Sequence, residues 1–369
     1  TLEIGEINNV DITNTNMKDI LNCSLLAHNT FGIDARCNRF LEYASVEEAQ
    51  QVALVLREAG LPYIIVGEGS NLLLTKDYEG IVVHSAILGS TEVSQAVASA
   101  CNEACANGSS EADVYVRYGS GVTWDDVVAE SVSKGWHGAE NLSLIPGEVG
   151  ASAIQNIGAY GAEAKDLIYK VEAVEIATGK VVEFGVDECA YSYRQSRFKH
   201  EWKNKYLITH VVYRFSRHYS PDLDYGNIRQ ALAAKGVEGV PSPELLRQTI
   251  IEIRQAKLPD PKVMGNAGSF FMNPIVPREV YERLAAQYEG MPHYVVDADH
   301  IKIPAGWMIE QCGWKGKSLG RAGVHDRQAL VLVNRGGATG NEVVALYQQI
   351  IKDVKERFGI EIHPEVNVI

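Results

Sequence analysis

The chain has 369 residues, room for two or three hydrophobic cores at ~100–200 residues each. Its formal net charge of −13, with no run of Lys and Arg, argues against a nucleic-acid binder, and 46% hydrophobic residues is ordinary for a soluble globular protein. No apolar run approaches the ~20 residues of a membrane span, and the polar, acidic N-terminus does not read as a signal peptide. A cytoplasmic protein with no membrane insertion is therefore expected.

In chain order, residues 1–20 carry no pattern and read as a loosely held extension. Ser45-Val46-Glu47-Glu48 is a capping box that opens a helix with Val52, Val55, Leu56 and Ala59 on one face, stopped at Gly60. Leu61–Val66 is a short strand running into Gly67-Glu68-Gly69-Ser70-Asn71, and Gly80–His84 is a further extended piece. That turn joins strand to loop to strand. Leu72 replaces the third Gly of a dinucleotide fingerprint, so the motif is either a tight turn or a cradle for phosphate.

Residues 89–112, rich in Ser, Ala, Glu and Asn, read as a hairpin tip. A strand resumes at Val114–Gly119, and Thr123 is expected to cap a helix ending near Gly135. Residues 144–161 read as a long, nearly uncharged Gly-rich loop with Pro146, Gly147, Gly150, Ala151, Ser152, Gln155, Asn156, Gly158, Ala159 and Tyr160. So long a loop must satisfy its backbone groups, either inside the fold or on a planar ligand with a pyrophosphate, on which Tyr160 would stack.

Val171–Phe184 and Tyr206–Phe215 are β-rich, and a helix is expected after Ser242. The spacing predicts helices over 277–289, 304–312 and 342–358. From Ile360 onward apolar and polar residues alternate, which predicts a strand whose polar face carries His363 and Glu365. In Gly265-Asn266-Ala267-Gly268-Ser269-Phe270-Phe271, after a proline-rich segment, Ser269 is either a turn residue or a proton donor. The six cysteines show no CxxC pair, so free thiols and no metal site are expected.

Taken together, Asn29–Gly32, Gly67–Asn71, Ile145–Gly161, Tyr193-Arg194-Gln195-Ser196, Leu258–Lys262, Gly265–Pro274, Ala305-Gly306-Trp307 and Pro364-Glu365-Val366 resemble the UDP-N-acetylenolpyruvoylglucosamine reductases, the MurB-type flavoenzymes. Tyr191–Lys199 and Asp224-Tyr225-Gly226 look like the subtype with a Tyr-bearing loop over the substrate. The resemblance implies an α+β, three-lobed fold: a two-part FAD-binding domain of the vanillyl-alcohol-oxidase type and a separate α+β substrate-binding domain. The implied division is 1–19 as extension, 20–88 plus 356–369 as the first FAD lobe, 89–235 as the second, and 236–355 as the substrate domain.

The implied activity is reduction of a UDP-sugar enolpyruvyl ether, with non-covalent FAD as cofactor and NADPH as co-substrate, by a monomer. Carried over residue by residue, Ser269 is the proton donor, with Arg194 and Glu365 around the substrate carboxylate. Tyr225, Lys257, Asn273, Tyr294, Lys315 and Gln328 match substrate-binding positions, and both Gly-rich segments match flavin-binding ones. Ala151 departs from the pattern, standing where the family often has the first Ser of a pair. An O2-using oxidase of the same fold, which often tethers FAD through His or Cys, and a non-catalytic nucleotide-binding protein are the alternatives. No tethering residue lies in a matching motif.

Overall fold

The computed structural model describes residues 17–94 and 113–369. Part of the hairpin tip expected over 89–112, and most of the N-terminal extension, lie outside these residues; the first strand already begins at Lys18.

The first sheet has four strands in the spatial order Lys18–Ser24, Arg36–Tyr43, Tyr78–Ser85, Tyr63–Val66. Its first pair is antiparallel and the others parallel. Half of the capping box forms: Ser45 accepts from the Glu48 amide, while the Glu48 carboxylate takes the Ala44 amide instead of that of Ser45; the helix runs Val46–Ala59, and Gly60 ends it at φ +62°. That helix is sandwiched. Val52, Ala53 and Leu56 share a core with Leu41 and Val83 of the first sheet, and with Val174, Ile176 and Leu207 of the second.

The second sheet is five-stranded and antiparallel, in the order Val181–Gly185, Ile168–Glu175, Tyr206–Ser216, Asp113–Gly119, Ser90–Val93. The helix after Thr123 forms at Trp124–Ser133, but the Thr123 side chain does not cap it. Backbone does that work instead: the Trp124 amide bonds to the Gly147 carbonyl, fixing the second Gly-rich segment against the helix start.

That segment is not a continuous loop. Val149–Gln155 is a helix. Its first amides, which no helix can satisfy internally, bond to Val122 and Ser120 carbonyls. For these amides the fold supplies the partners, the first of the two alternatives open to the uncharged segment.

Helices Ile228–Ala234 and Pro243–Lys257 pack through Leu223, Ile228, Leu232, Leu246, Ile250 and Ile253. Beyond them a four-stranded sheet, in the order Asn266–Ser269, Val331–Asn334, Ala322–Val324, Ser318–Leu319, carries helices Ala305–Gln311 and Gly340–Phe358. Its core is continuous with that of the first sheet, joining Phe270, Phe271 and Leu346 to Phe31, Phe40, Leu72 and Leu73.

The strand expected from Ile360 onward is mostly an extended connector. Ile360, Ile362 and Val366 are buried because they plug the joint core, which produces the alternation without a ladder. The connector touches strand geometry at a Phe271–Pro364 bridge and in the parallel pair Asn367–Val368 with Leu72–Leu73.

Gly340, at the start of the last long helix, is pressed onto the first lobe. A Cβ there would lie 1.9 Å from the Leu74 carbonyl oxygen. Gly340→Ala should destabilise the fold by roughly 1–3 kcal/mol, read as a lowered midpoint of denaturant unfolding. An unchanged midpoint would mean that this contact relaxes without cost.

Candidate active site

Two glycine-rich backbones face each other across the join of the first two sheets. Gly69 is at φ +75°, and a Cβ on it would sit 2.1 Å from the His28 carbonyl oxygen. Only glycine gives that turn and that closeness. The Gly147 amide donates to Glu68 Oε2 at 2.8 Å, and a Cβ on Gly147 would meet Ser70 Oγ at 3.2 Å. Asn71 Nδ2 donates to Gln155 Oε1 at 2.9 Å. The Ala151 methyl lies 3.5 Å from where a Gly67 Cβ would be. These short residues leave a seam lined by backbone, which fits a flat dinucleotide such as the flavin expected from the sequence.

Not every residue of the second segment faces that seam. The Ser152 hydroxyl is buried, donating to the Val149 carbonyl and sharing a hydrogen bond with Tyr213 OH at 2.6 Å. The Gly150 amide is taken by the Ser120 carbonyl. Asn156, buried at φ +48°, ties Glu163, Ser192 and Lys165 together. Gly158 and Ala159 form a small pair with Glu163 and Ala162. Tyr160 packs with the Leu223–Ile253 cluster and against Gly226, so its ring supports the Tyr225 turn rather than lying free for stacking. Pro146 is exposed at the segment's edge.

Arg194 and Glu365, 171 residues apart, form an ion pair at 3.1 Å. Arg194 is held at φ +56°, uncommon for a residue with a side chain. Its guanidinium also donates to the Asn156 and Gly158 carbonyls at 3.3 and 2.6 Å. Lys199 Nζ donates to the Arg194 carbonyl at 3.1 Å, bracing this turn. Burial pushes the Glu365 carboxyl above its ordinary range, with Arg194 and then Lys199 pulling it back.

The Glu365 amide donates to the Phe270 carbonyl at 2.8 Å. This places Glu365 beside the end of the Asn266–Ser269 strand. Ser269 is exposed there, preceded by Gly268 at φ +68° and followed by the buried rings of Phe270 and Phe271. That backbone bond sets the strand end that carries Ser269 next to the tail residue that pairs with Arg194.

The candidate substrate residues divide. Tyr225 and Tyr294 are exposed; partial burial raises the Tyr225 pKa, with Tyr294 adding to the rise and Arg194 opposing it. Lys257 is exposed at a helix end. Asn273 spends its Oδ1 on the Ala305 amide at 2.9 Å, capping the helix with Trp307. Lys315 is paired with Glu310 at 3.0 Å, and Gln328 Oε1 accepts from the Leu330 amide.

Sequence reasoning missed Lys302, whose ammonium lies 4.9 Å from the Tyr193 ring centroid and 5.7 Å from that of Tyr294, and Arg254, whose Nε donates to the Leu144 carbonyl at 3.1 Å. Neither stands in a motif. Nothing in the sequence around either residue marked it out.

A family model described as "FAD binding domain" matches residues 38–185, and one described as "UDP-N-acetylenolpyruvoylglucosamine reductase, C-terminal domain" matches 260–369. The chain is 54% identical to the UDP-N-acetylenolpyruvoylglucosamine reductase of Bacteroides fragilis over 94% of this chain and 98% of that one. It is 42% identical to that of Paraburkholderia phymatum over 92% and 95%. Among solved structures it resembles the reductase (MurB) from Thermus caldophilus, with TM-score 0.60 and 19% identity over 95% of this chain and 98% of that one. It also resembles 6-hydroxy-D-nicotine oxidase from Arthrobacter nicotinovorans, with TM-score 0.52 and 13% identity over 94% and 87%. These two likenesses speak for the α+β fold alone. By sequence, the chain belongs to the UDP-N-acetylenolpyruvoylglucosamine reductase family.

Proposed function

We propose that the protein reduces the enolpyruvyl ether of UDP-N-acetylglucosamine to UDP-N-acetylmuramate, with FAD as cofactor and NADPH as co-substrate, in peptidoglycan precursor synthesis. The observation that carries this reading is the meeting of the Arg194–Glu365 pair with the Ser269 strand end, beside a glycine-lined seam. When bound, FAD supplies hydride transfer between NADPH and the terminal carbon of the enolpyruvyl group.

The chain's own residues do the rest. Arg194, fixed by two carbonyls and Glu365, offers cationic density to a substrate carboxylate and to the negative charge that grows beside it. In this reading Ser269 delivers the proton to that neighbouring carbon. A hydroxyl is a weak acid, so it serves only when held within reach of a strongly basic carbon. Gly67–Asn71, Gly147, Ala151 and Gln155 line the flavin side; Ser152 contributes from behind, through Tyr213. In this reading Tyr225, Tyr294, Lys257 and Lys315 hold the nucleotide and diphosphate, Lys315 by exchanging Glu310 for phosphate.

The reading divides the chain at about 88 and 235, with the C-terminal tail rejoining the first lobe. The reading takes the working protein as a monomer. Among the described residues no helix is long and apolar enough to cross a membrane, in keeping with a cytoplasmic site of action.

A flavin absorption spectrum tests the function directly. The purified protein should be yellow, bleach anaerobically on addition of NADPH, and recover its colour on addition of the enolpyruvyl sugar. A protein that stays colourless after incubation with FAD ends the reading, and stoichiometric peroxide formation would favour the oxidase.

A further inference from the structure

Behind the glycine-lined seam lies a row of three ionisable groups that the reaction does not use. Glu42 and His84 stand opposite each other on neighbouring parallel strands of the first sheet. Glu42 Oε2 is 3.0 Å from His84 Nδ1, and Glu148 Oε1 is 3.0 Å from His84 Nε2. All three side chains are largely shielded, at 21%, 15% and 13% exposure for Glu42, His84 and Glu148. Glu148 is the residue before the Val149–Gln155 helix, so this row joins the first lobe to the second. Its other oxygen lies 3.1 Å from where a Gly67 Cβ would be, directly behind the first glycine-rich loop.

A neutral imidazole has one N–H and one acceptor nitrogen. Here both nitrogens face carboxylate oxygens, which only accept. One proton more than the neutral ring carries is needed to satisfy both bonds. Burial opposes the charged ring, but the bonds to Glu148 and Glu42 outweigh it and raise the His84 pKa above its ordinary value.

The other charged or titratable groups around the row are few. Lys18 Nζ is 3.5 Å from Glu42 Oε1, the His28 ring is 6.2 Å from the His84 ring, and Glu68 and Tyr43 act on or respond to Glu148. Without the His84 proton, the Glu42 and Glu148 carboxylates behind the loops would join Glu68, within the first loop, in repelling an anionic diphosphate.

We propose that His84 is a positioning residue, held as an imidazolium that ties Glu148 to Glu42 and thereby sets the affinity of the two glycine-rich loops for FAD. The proposal rests on the FAD reading given above. It makes FAD affinity pH-dependent in a direction fixed by the geometry. As pH rises through the raised His84 pKa, above the ordinary value of about 6.5, the tie opens, negative charge accumulates behind the seam, and affinity falls.

The test is FAD titration of flavin-stripped protein, followed by flavin fluorescence, from about pH 6 to about pH 9. The wild type should bind FAD more weakly as pH rises. His84→Gln should bind about tenfold more weakly at the acid end, with little further change across the range. His84→Gln/Glu148→Gln, which removes the excess carboxylate as well, should recover much of that loss.

Nitrogen chemical shifts of His84 in the flavin-free wild type give a second readout: both ring nitrogens should be protonated well above about pH 6.5. A neutral ring there overturns the proposal. So does a pH-independent wild-type affinity, or a double variant no better than His84→Gln. If His84→Gln does not fold, Glu148→Gln alone must abolish the pH dependence, and retention of that dependence refutes the idea. A wild type that binds no FAD at any pH instead overturns the functional reading, and this proposal with it.

Discussion

Ser269→Ala should leave NADPH-driven bleaching of the flavin at its wild-type rate and slow product formation by about 10²–10⁴-fold, the range for loss of a placed proton donor. The structure gives the reason for expecting a split. Ser269 sits at a strand end whose backbone is set by neighbours, with Gly268 in the left-handed region before it and Phe270 and Phe271 buried after it. Phe270 is wedged edge-on to Phe31 and tilted against Tyr347. Removing one exposed hydroxyl disturbs none of that packing. Stopped-flow absorbance separates the two half-reactions: NADPH alone reports the first, and the enolpyruvyl sugar added to reduced enzyme reports the second. Equal loss of both would refute the proton-donor role. Ser269→Cys offers a smaller structural change with a more acidic group, and it should restore part of the second half-reaction.

Arg194→Ala should lower kcat/KM by about 10²–10³-fold, as expected when a fixed charge beside a developing anion is removed. It should also change the pH profile. Burial raises the Glu365 pKa, and Arg194 is the strongest opposing influence. Loss of Arg194 therefore raises that pKa further, so Glu365 stays protonated to higher pH. If turnover needs the carboxylate, the acid limb of kcat/KM against pH must move upward in Arg194→Ala. Glu365→Gln, which cannot ionise, should lose the limb while retaining most of its fold. A limb that stays in place in Arg194→Ala would show that the two groups are not coupled in turnover.

How much of this could be read from the chain depended on distance along it. The Val46–Ala59 helix was legible because its cap, its apolar face and its stop lie within sixteen residues. The Val149–Gln155 helix was not, since its N-terminal amides are satisfied by Ser120 and Val122 from another element and its composition resembles a loop. The tail alternates because of an inter-lobe core, and periodicity alone mistook plugging for pairing. Ser269, Arg194 and Glu365 could be suspected only through resemblance; nothing local told Arg194 to seek a carboxylate 171 positions away. The Glu42–His84–Glu148 row left no trace in any motif. His84 reads as one polar residue ending an apolar run, and only the parallel register sets it against Glu42.

The tail bears on how the protein comes into being. Asn71 donates its side-chain amide to the Glu365 carbonyl at 3.4 Å, and its own carbonyl accepts from the Asn367 amide at 3.1 Å, across nearly three hundred residues. During synthesis the early part of a chain is free to fold first. Here the first lobe must wait, its Leu72–Leu73 edge unpaired, until residues 365–368 have left the ribosome. No nascent fragment short of that point has the Arg194–Glu365 pair.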